Sequence, residues 1–262
     1  MIEAKANESP RARERRTRPR RREWFTDVGR EQLIALLELD LAADSYLLDI
    51  GCGMLRGGRW VIPLLKPGHY CGLEVVPERV QQGLRNNLEE AMITLKQPRF
   101  DHNANFDFSP FGVQFTHFVA RSIWSHASKK QIEAMLDGMV AHGAPHAVLL
   151  ASFRAAGPDA ANDYTGDEWR GKSHESDEPG IVAHSVKWLR EACEQRNLDF
   201  EVSQRAPVKK NGQVWAVVRK EEAGGESSSR RRVSRLARQI KHNLRTLKFA
   251  TSQLVEELDL DA

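Results

Sequence analysis

Residues 46–58 (YLLDIGCGMLRGG) constrain this 262-residue chain more than any other stretch. An apolar, strand-like run reaches Asp49, and glycines follow at 51, 53, 57 and 58. A second apolar run, residues 70–73, stops at Glu74. The pattern predicts a strand, a glycine turn, a short helix, a second strand and an acid at that strand's tip. The step from Gly51 to Glu74 is about the twenty residues that separate a nucleotide-binding turn from the acid that grips a ribose in a βαβ unit. Glycine suits such a turn because a Cβ would hold a ligand off the backbone amides and obstruct a positive φ.

Two details narrow the ligand. A dinucleotide turn has the pattern G-x-G-x-x-G, whereas here the sixth position is Arg56 and the glycine comes one residue later. Asp49, placed immediately before the turn, would repel a pyrophosphate and attract an ammonium or a sulfonium. An adenosine ribose joined to a cationic amino-acid arm describes S-adenosylmethionine. On these residues the chain resembles the class I S-adenosylmethionine-dependent methyltransferases, whose first motif reads acid-x-Gly-x-Gly and whose second acid closes the next strand. The resemblance is specific over 46–74 and diffuse afterwards. The plainer reading is a tight turn in an α/β domain, with Asp49 capping a backbone amide. Two acids and four glycines in register weigh against it.

Beyond this unit, strands and helices alternate. Leu33, Leu36, Leu37 and Leu41 recur on one side from Thr26 onward, which predicts a helix that ends by Asp44 and Ser45. Pro77 suits a first helical turn, and Val80, Leu84, Leu88, Ala91 and Leu95 continue at helical spacing as far as Pro98. Residues 100–108 read as a third strand with its exit loop, and 115–122 as a fourth. Ser128 followed by Gln131 is a capping-box pattern for a helix to about His142. The apolar run 147–153 predicts a fully buried strand. A helix over 185–195 and strands near 199–204 and 213–219 complete the series. The expected architecture is a doubly wound, mostly parallel α/β sheet whose last two strands form a hairpin. Seven strands with an edge hairpin, the Rossmann-like methyltransferase fold, are also what the resemblance implies.

The resemblance further implies an enzyme that takes S-adenosylmethionine as cofactor. Asp49 would meet the methionyl amine, the Gly51 and Gly53 backbone the methionyl arm, and Glu74 the ribose hydroxyls. Asp107, or Asn105, would take the adenine amino group. Arg56 could hold the cofactor's carboxylate or simply pair with a nearby acid. The metal-dependent catechol type places aspartates after the fourth strand; Arg121 and Ser122 stand there instead, which argues against a divalent-metal mechanism and no metal ligands are expected. His126 could act as a base or orient substrate, or bond to backbone ahead of Ser128. Residues 155–184 form a long polar insert at the substrate end, where Tyr164, Trp169, Arg170, His174 and His184 offer stacking and hydrogen-bonding groups. His126 and His174 are therefore the candidate catalytic residues. The acceptor expected is a small molecule or a glycan-like one, methylated at oxygen.

Charge separates the ends from the middle. The chain carries a formal +3. Residues 1–23 hold nine basic and four acidic side chains, 221–262 hold eight and seven, and 24–220 hold twenty-two and twenty-five. A central domain of that balance is not a nucleic-acid-binding surface. Residues 1–23 read as a disordered arginine-rich arm, 24–220 as the methyltransferase domain and 221–229 as a flexible linker. In 230–262, Val233, Ala237, Ile240, Leu244, Leu247, Thr251, Leu254 and Leu258 alternate at spacings of four and three. That spacing fits a coiled-coil seam through which two copies could pair over 230–258, or a stripe packed on the chain's own domain. A membrane-surface helix is the third option. No apolar run of about 18 residues appears, so no membrane span is expected. Three scattered cysteines (Cys52, Cys71, Cys193) fit neither disulfide nor zinc spacing and point to a reducing, cytoplasmic setting. The competing readings are an RNA or protein methyltransferase tethered by the arm, a nicotinamide-dependent oxidoreductase, and a non-catalytic assembly protein working through its C-terminal helix.

Overall fold

The fold is built outward from β1 (Leu47–Ile50), whose four residues are all buried. A computed structural model describes residues 19–157, 159–171, 180–203 and 212–220. The arm up to residue 18, His174, the 221–229 linker and the 230–262 heptad segment lie outside the described residues.

Beside β1 lie β2 (Tyr70–Leu73) and β4 (Phe115–Ala120), both parallel to it. β3 (Arg99–Asp101) extends one edge; β5 (Gly143–Arg154), β7 (Gln213–Lys220) and β6 (Leu198–Val202) extend the other. The order is β3-β2-β1-β4-β5-β7-β6, with β7 antiparallel to both of its neighbours. The chain leaves β1 toward β2 and later returns to β1's other side as β4. The carboxyl ends of β1 and β4 therefore flank the crevice where ligands bind in such sheets.

Strand alternation sorts the core into two layers. Leu48, Ile50, Cys71, Leu73, Phe118, Ala120, Leu149 and Ala151 join one cluster, which includes Ile132, Leu136 and Met139 of α5 (Lys129–His142) and Leu189 of α6 (Val186–Glu194). Leu47, Tyr70, Val119, Leu150, Trp215 and Val217 join the other. Leu36 of α1 (Pro19–Leu37), Val61 of α2 (Gly58–Val61) and Val80 of α3 (Pro77–Asn87) belong to that second cluster. The capping box at α5 is present: Ser128 Oγ accepts the Gln131 N–H at 3.3 Å, and Gln131 Oε1 accepts the Ser128 N–H at 2.8 Å.

Several expectations need correction. α1 begins at Pro19, so residues 19–23 of the expected arm are helical, and it stops at Leu37, whose side chain is exposed rather than part of the apolar stripe. The single helix expected over 77–97 is two, α3 and α4 (Glu90–Lys96), because the backbone turns extended at Leu88. The Asn87 amide donates to the Met54 carbonyl at 2.8 Å, tying the end of α3 to the glycine turn instead of letting the helix run on. β3 starts one residue before the expected 100–108 strand and exit loop and ends at Asp101, and β5 starts four residues earlier than the apolar run.

Candidate active site at the strand tips

The glycine turn is fastened to the tip of β2. The Gly51 and Cys52 N–H groups both donate to the Leu73 carbonyl, at 2.7 and 3.1 Å. Gly51 has φ +70° and Gly53 φ +54°, the left-handed region. A Cβ on Gly51 would come within 2.1 Å of Ile123 Cδ1, whereas the nearest atom to one on Gly53 would be Glu74 Oε2 at 3.9 Å. Gly51 is therefore needed for packing, and Gly53 leaves open space for a ligand against its backbone.

Glu74 closes β2 with its carboxylate held on two sides. Oε2 accepts the Gly53 N–H at 3.0 Å and Oε1 accepts the Val76 N–H at 3.1 Å, while Arg79 stands 3.7 Å away. His102 donates through Nδ1 to the Glu74 carbonyl at 2.6 Å. Burial raises the Glu74 pKa, against the Val76 N–H, Arg79 and the Gly53 N–H, which lower it. The result is an oriented acceptor pair in the cavity wall, fit for two vicinal hydroxyls.

Asp49 sits lower. Its carboxylate accepts the Tyr70 hydroxyl at 2.7 Å and is nearly fully buried. Burial drives its pKa up to about 7, opposed by the Tyr70 hydrogen bond and Arg56 and reinforced by Glu74. Arg56 is pulled down by burial and held up by Asp49. Burial also raises the Cys52 thiol well above its usual range, the opposite of what activates a nucleophilic cysteine.

A cleft of about 130 Å³ opens over this turn. Gly51, Gly53, Leu73, Glu74, Val75, Arg79, Asn103 and Phe106 line its β1–β3 side; Arg121, Ser122, Ile123 and Trp169 line the side toward β4 and the insert. A larger, more open groove of about 330 Å³ among Arg154, Tyr164 and Ile181 shares no lining residue with the cleft. The cleft is the better candidate because it lies at the β1–β4 switch point.

Of the expected site residues, the structure brings Gly51, Gly53 and Glu74 into this cleft. Asp49 and Arg56 lie outside its lining; Tyr70, reaching up from β2, takes the carboxylate expected for a ligand's amine. Asp107 is exposed, and its Oδ1 accepts the Ser109 N–H at 2.9 Å, capping a 3₁₀ turn over Ser109–Phe111, which lowers its pKa. Asn105 is exposed as well. Asn103 occupies the cleft in their place, its amide donating to Asp101 Oδ1 at 2.6 Å and to the Asp107 carbonyl at 2.8 Å.

His126 is not in the lining either. Its Nδ1 donates to the Arg170 carbonyl at 2.6 Å, the Arg170 N–H donates back to the His126 carbonyl at 2.8 Å, and the ring stacks on Trp169 at 5.7 Å. These contacts set its ring against Trp169, which itself lines the cleft. The insert's flanks are laced down similarly: the Val182 N–H donates to the Ser125 carbonyl at 2.8 Å, His184 Nε2 to the Ala127 carbonyl at 3.0 Å, and Lys129 pairs with Asp163 at 2.7 Å. Among the described residues, no three His, Cys, Asp or Glu side chains gather as a metal site, and no helix is long and apolar enough to cross a membrane.

Arg121, singled out in the sequence only as a departure from the aspartates of the metal-dependent type, is a buried residue of the cleft. The guanidinium donates to the Val28 carbonyl at 2.7 Å, lies 3.5 Å from Glu31 and 5.3 Å over the Trp215 ring, and burial brings its pKa down to about 10.

No protein-family model matches the chain, and no curated protein matches it. Solved structures do. The magnesium protoporphyrin IX methyltransferase of Synechocystis, with S-adenosylmethionine bound, superposes with a TM-score of 0.54 at 11% identity, over 76% of this chain and 81% of that one. An S-adenosylmethionine-dependent methyltransferase from Clostridium acetobutylicum gives 0.53 at 14%, covering 76% and 92%. The amino pentose methyltransferase of Micromonospora echinaspora, also with S-adenosylmethionine bound, gives 0.51 at 17%, covering 84% and 99%. At these identities the likeness is one of fold: a Rossmann-like, class I methyltransferase fold.

Proposed function

We propose that the chain is an S-adenosylmethionine-dependent methyltransferase acting on a small-molecule or glycan-like acceptor at oxygen. The observation that carries the reading is Glu74: a buried carboxylate at the tip of β2, oriented by the Gly53 N–H at 3.0 Å, facing the cleft beside two positive-φ glycines. The residues fit the cofactor. A ribose can hydrogen-bond to Glu74, a methionyl arm can lie on the bare backbone at Gly53, and Asp49 beneath the turn supplies negative potential for its cationic groups.

Bound S-adenosylmethionine would supply a methyl group already activated by its sulfonium charge. The chain's own contribution is then alignment and exclusion of water. Glu74 and the turn fix the adenosyl half. Ile123 and Trp169 present apolar surface on the β4 side, and His126 holds Trp169 there. No described lining residue on that side is acidic, so nothing there favours an amine nucleophile over an oxygen one. No general base is assigned, since His126 is turned to the Arg170 carbonyl. The cleft is small beside the roughly 300 Å³ and more of typical small-molecule sites, so side chains such as the part-exposed Arg79 must shift on binding. A homodimer through residues 230–258 and a cytoplasmic location belong to the proposal on the strength of the heptad spacing and the scattered cysteines.

Calorimetric titration with S-adenosylmethionine, S-adenosylhomocysteine and NAD tests the reading. Saturable binding of both adenosyl ligands and none of NAD is expected; the opposite pattern would return the chain to the oxidoreductases. Incubation of cell extract with labelled methyl donor, followed by mass spectrometry, then identifies the acceptor.

A further inference from the structure

We propose that Arg121 and Ser122, at the tip of β4, form a receptor for a carboxylate within the cleft, an inference that rests on the methyltransferase reading. Arg121 is only 7% exposed yet lines the cavity. A buried guanidinium is costly unless its charge is met. Its short hydrogen bond, to Val28, goes to a neutral carbonyl, and its anionic neighbour Glu31 is 3.5 Å away with a side chain 42% exposed. Such a partner, half in water, compensates little. Arg56 lies near enough to add potential of the same sign.

Ser122 supplies a second donor. Its φ of +56° is strained for a residue with a Cβ. That backbone is held by a buried chain of bonds: the Ser122 N–H donates to Ser152 Oγ at 2.7 Å, and the Ser152 hydroxyl donates to Gln213 Oε1 at 2.7 Å. Ser122 Oγ itself has only long contacts to Gln213, at 3.4 and 3.5 Å. Arg121, which carries a planar guanidinium, and Ser122, which carries a hydroxyl, both line the β4 side of the cleft along with apolar Ile123 and Trp169. A planar fork with one added donor suits the two oxygens of a carboxylate. The electrostatics agree, because a sulfonium ligand would bring a second positive charge into the same cleft, and a carboxylate beside Arg121 relieves the repulsion. The carboxylate could belong to the acceptor or to the cofactor's methionyl arm.

Three variants test this: Arg121→Met, Arg121→Lys and Glu31→Gln. Glu31 is the carboxylate the guanidinium now has, so Glu31→Gln removes an internal competitor from an exposed helix face and should tighten carboxylate binding by about threefold or more. Arg121→Met should weaken it by about tenfold, with Arg121→Lys between. The probes are S-adenosylhomocysteine, 5′-methylthioadenosine (which lacks the amino-acid arm), and benzoate against benzamide on protein saturated with S-adenosylhomocysteine. Shifts confined to S-adenosylhomocysteine place the cofactor's carboxylate on Arg121; shifts in benzoate and not benzamide place the acceptor's. Binding of 5′-methylthioadenosine should not move. If the wild-type chain binds both adenosyl ligands and all variants match it, the receptor is overturned and the methyltransferase reading stands. If it binds neither, both fall. Should Arg121→Met fail to fold, the gain expected in Glu31→Gln still decides the matter.

Discussion

The two walls of the cleft are built by different means. On the β1–β2 side, the lining within residues 51–79 is set largely through backbone: two positive-φ glycines, the Leu73 carbonyl that fastens Gly51 and Cys52, and a carboxylate oriented by main-chain N–H groups, with Asn103 and Phe106 joining from the loop after β3. The β4 side gathers side chains from distant places, with Arg121 leaning on Val28 and Glu31 of α1 and on Trp215 of β7, Ser122 on Ser152 and Gln213, and Trp169 on His126. A backbone-built wall recognises what is constant in a ligand class, because almost any sequence with the right glycines can make it. A wall of side chains held by long-range contacts can differ from one protein to the next. On the function proposed, the first wall would hold the adenosyl half of the donor, and the second is where acceptors could be told apart.

The largest effect expected is at Gly51. Gly51→Val forces a β-branched residue to φ +70° and drives Cβ into Ile123. Left-handed strain alone costs about 1–2 kcal/mol, and the clash adds to it. S-adenosylhomocysteine affinity should fall by about 100-fold or more, with a lower melting temperature. Adding Ile123→Ala should restore part of the stability and little of the affinity, because it relieves the clash and leaves the strain. If Gly51→Val binds normally, the backbone wall is not the adenosyl wall.

Glu74→Ala comes next. It removes the acceptor for the Gly53 and Val76 N–H groups together with the ribose contacts proposed, and charged hydrogen bonds of this kind contribute about 1.5–3 kcal/mol. A loss of roughly 10- to 100-fold in adenosyl affinity is expected by calorimetry, with Glu74→Gln intermediate. An unchanged affinity would leave Glu74 a turn-bracing residue only.

The same contrast explains what could be read in advance. The Gly51–Glu74 spacing was legible because the strand–turn–strand unit is local: once β1 and β2 pair in register, the acid at the end of β2 must reach the turn. The mostly parallel sheet and the hairpin of its last two strands followed from the same alternation. Asp107 and His126 lie outside the cleft lining because the path of a loop decides which residue faces in. The 3₁₀ turn at Ser109 draws Asp107 outward and leaves Asn103 inside. The insert, pressed against residues 125–129, turns His126 to the Arg170 carbonyl. The burial of Arg121 could not be read because it depends on α1 and Trp215, about 90 residues away on either side, arriving together.

Asp49 sharpens the comparison through pH. Its folded pKa of about 7 lies above the ordinary 3.8 of an aspartate, so between these values the folded chain holds a proton that the unfolded chain releases. Stability linked to Asp49 is full below about pH 4 and is lost as pH rises through 7, by at most about 4 kcal/mol. Asp49→Asn should flatten that part of the stability–pH profile in denaturant titrations. A cationic methionyl arm would favour the ionised form, so adenosyl affinity should rise toward neutral pH with proton release, and the asparagine variant should lose that dependence. No proton release in buffers of differing ionisation enthalpy would detach Asp49 from the ligand.

The smallest effect separates Asp107 from Asn103, four residues apart on the loop after β3. Asp107 is exposed and caps the Ser109 N–H, so Asp107→Ala should change S-adenosylhomocysteine affinity by less than about twofold. Asn103 lines the cleft and is braced by Asp101 and the Asp107 backbone, so Asn103→Ala should weaken the same ligand by about fivefold through lost hydrogen bonding. Adenosine by itself, titrated into both variants, isolates the base from the methionyl arm. If Asp107→Ala loses adenosine and Asn103→Ala keeps it, the loop must rearrange when ligand binds and bring Asp107 inward. The β1–β3 wall would then be less preformed than its backbone hydrogen bonds make it.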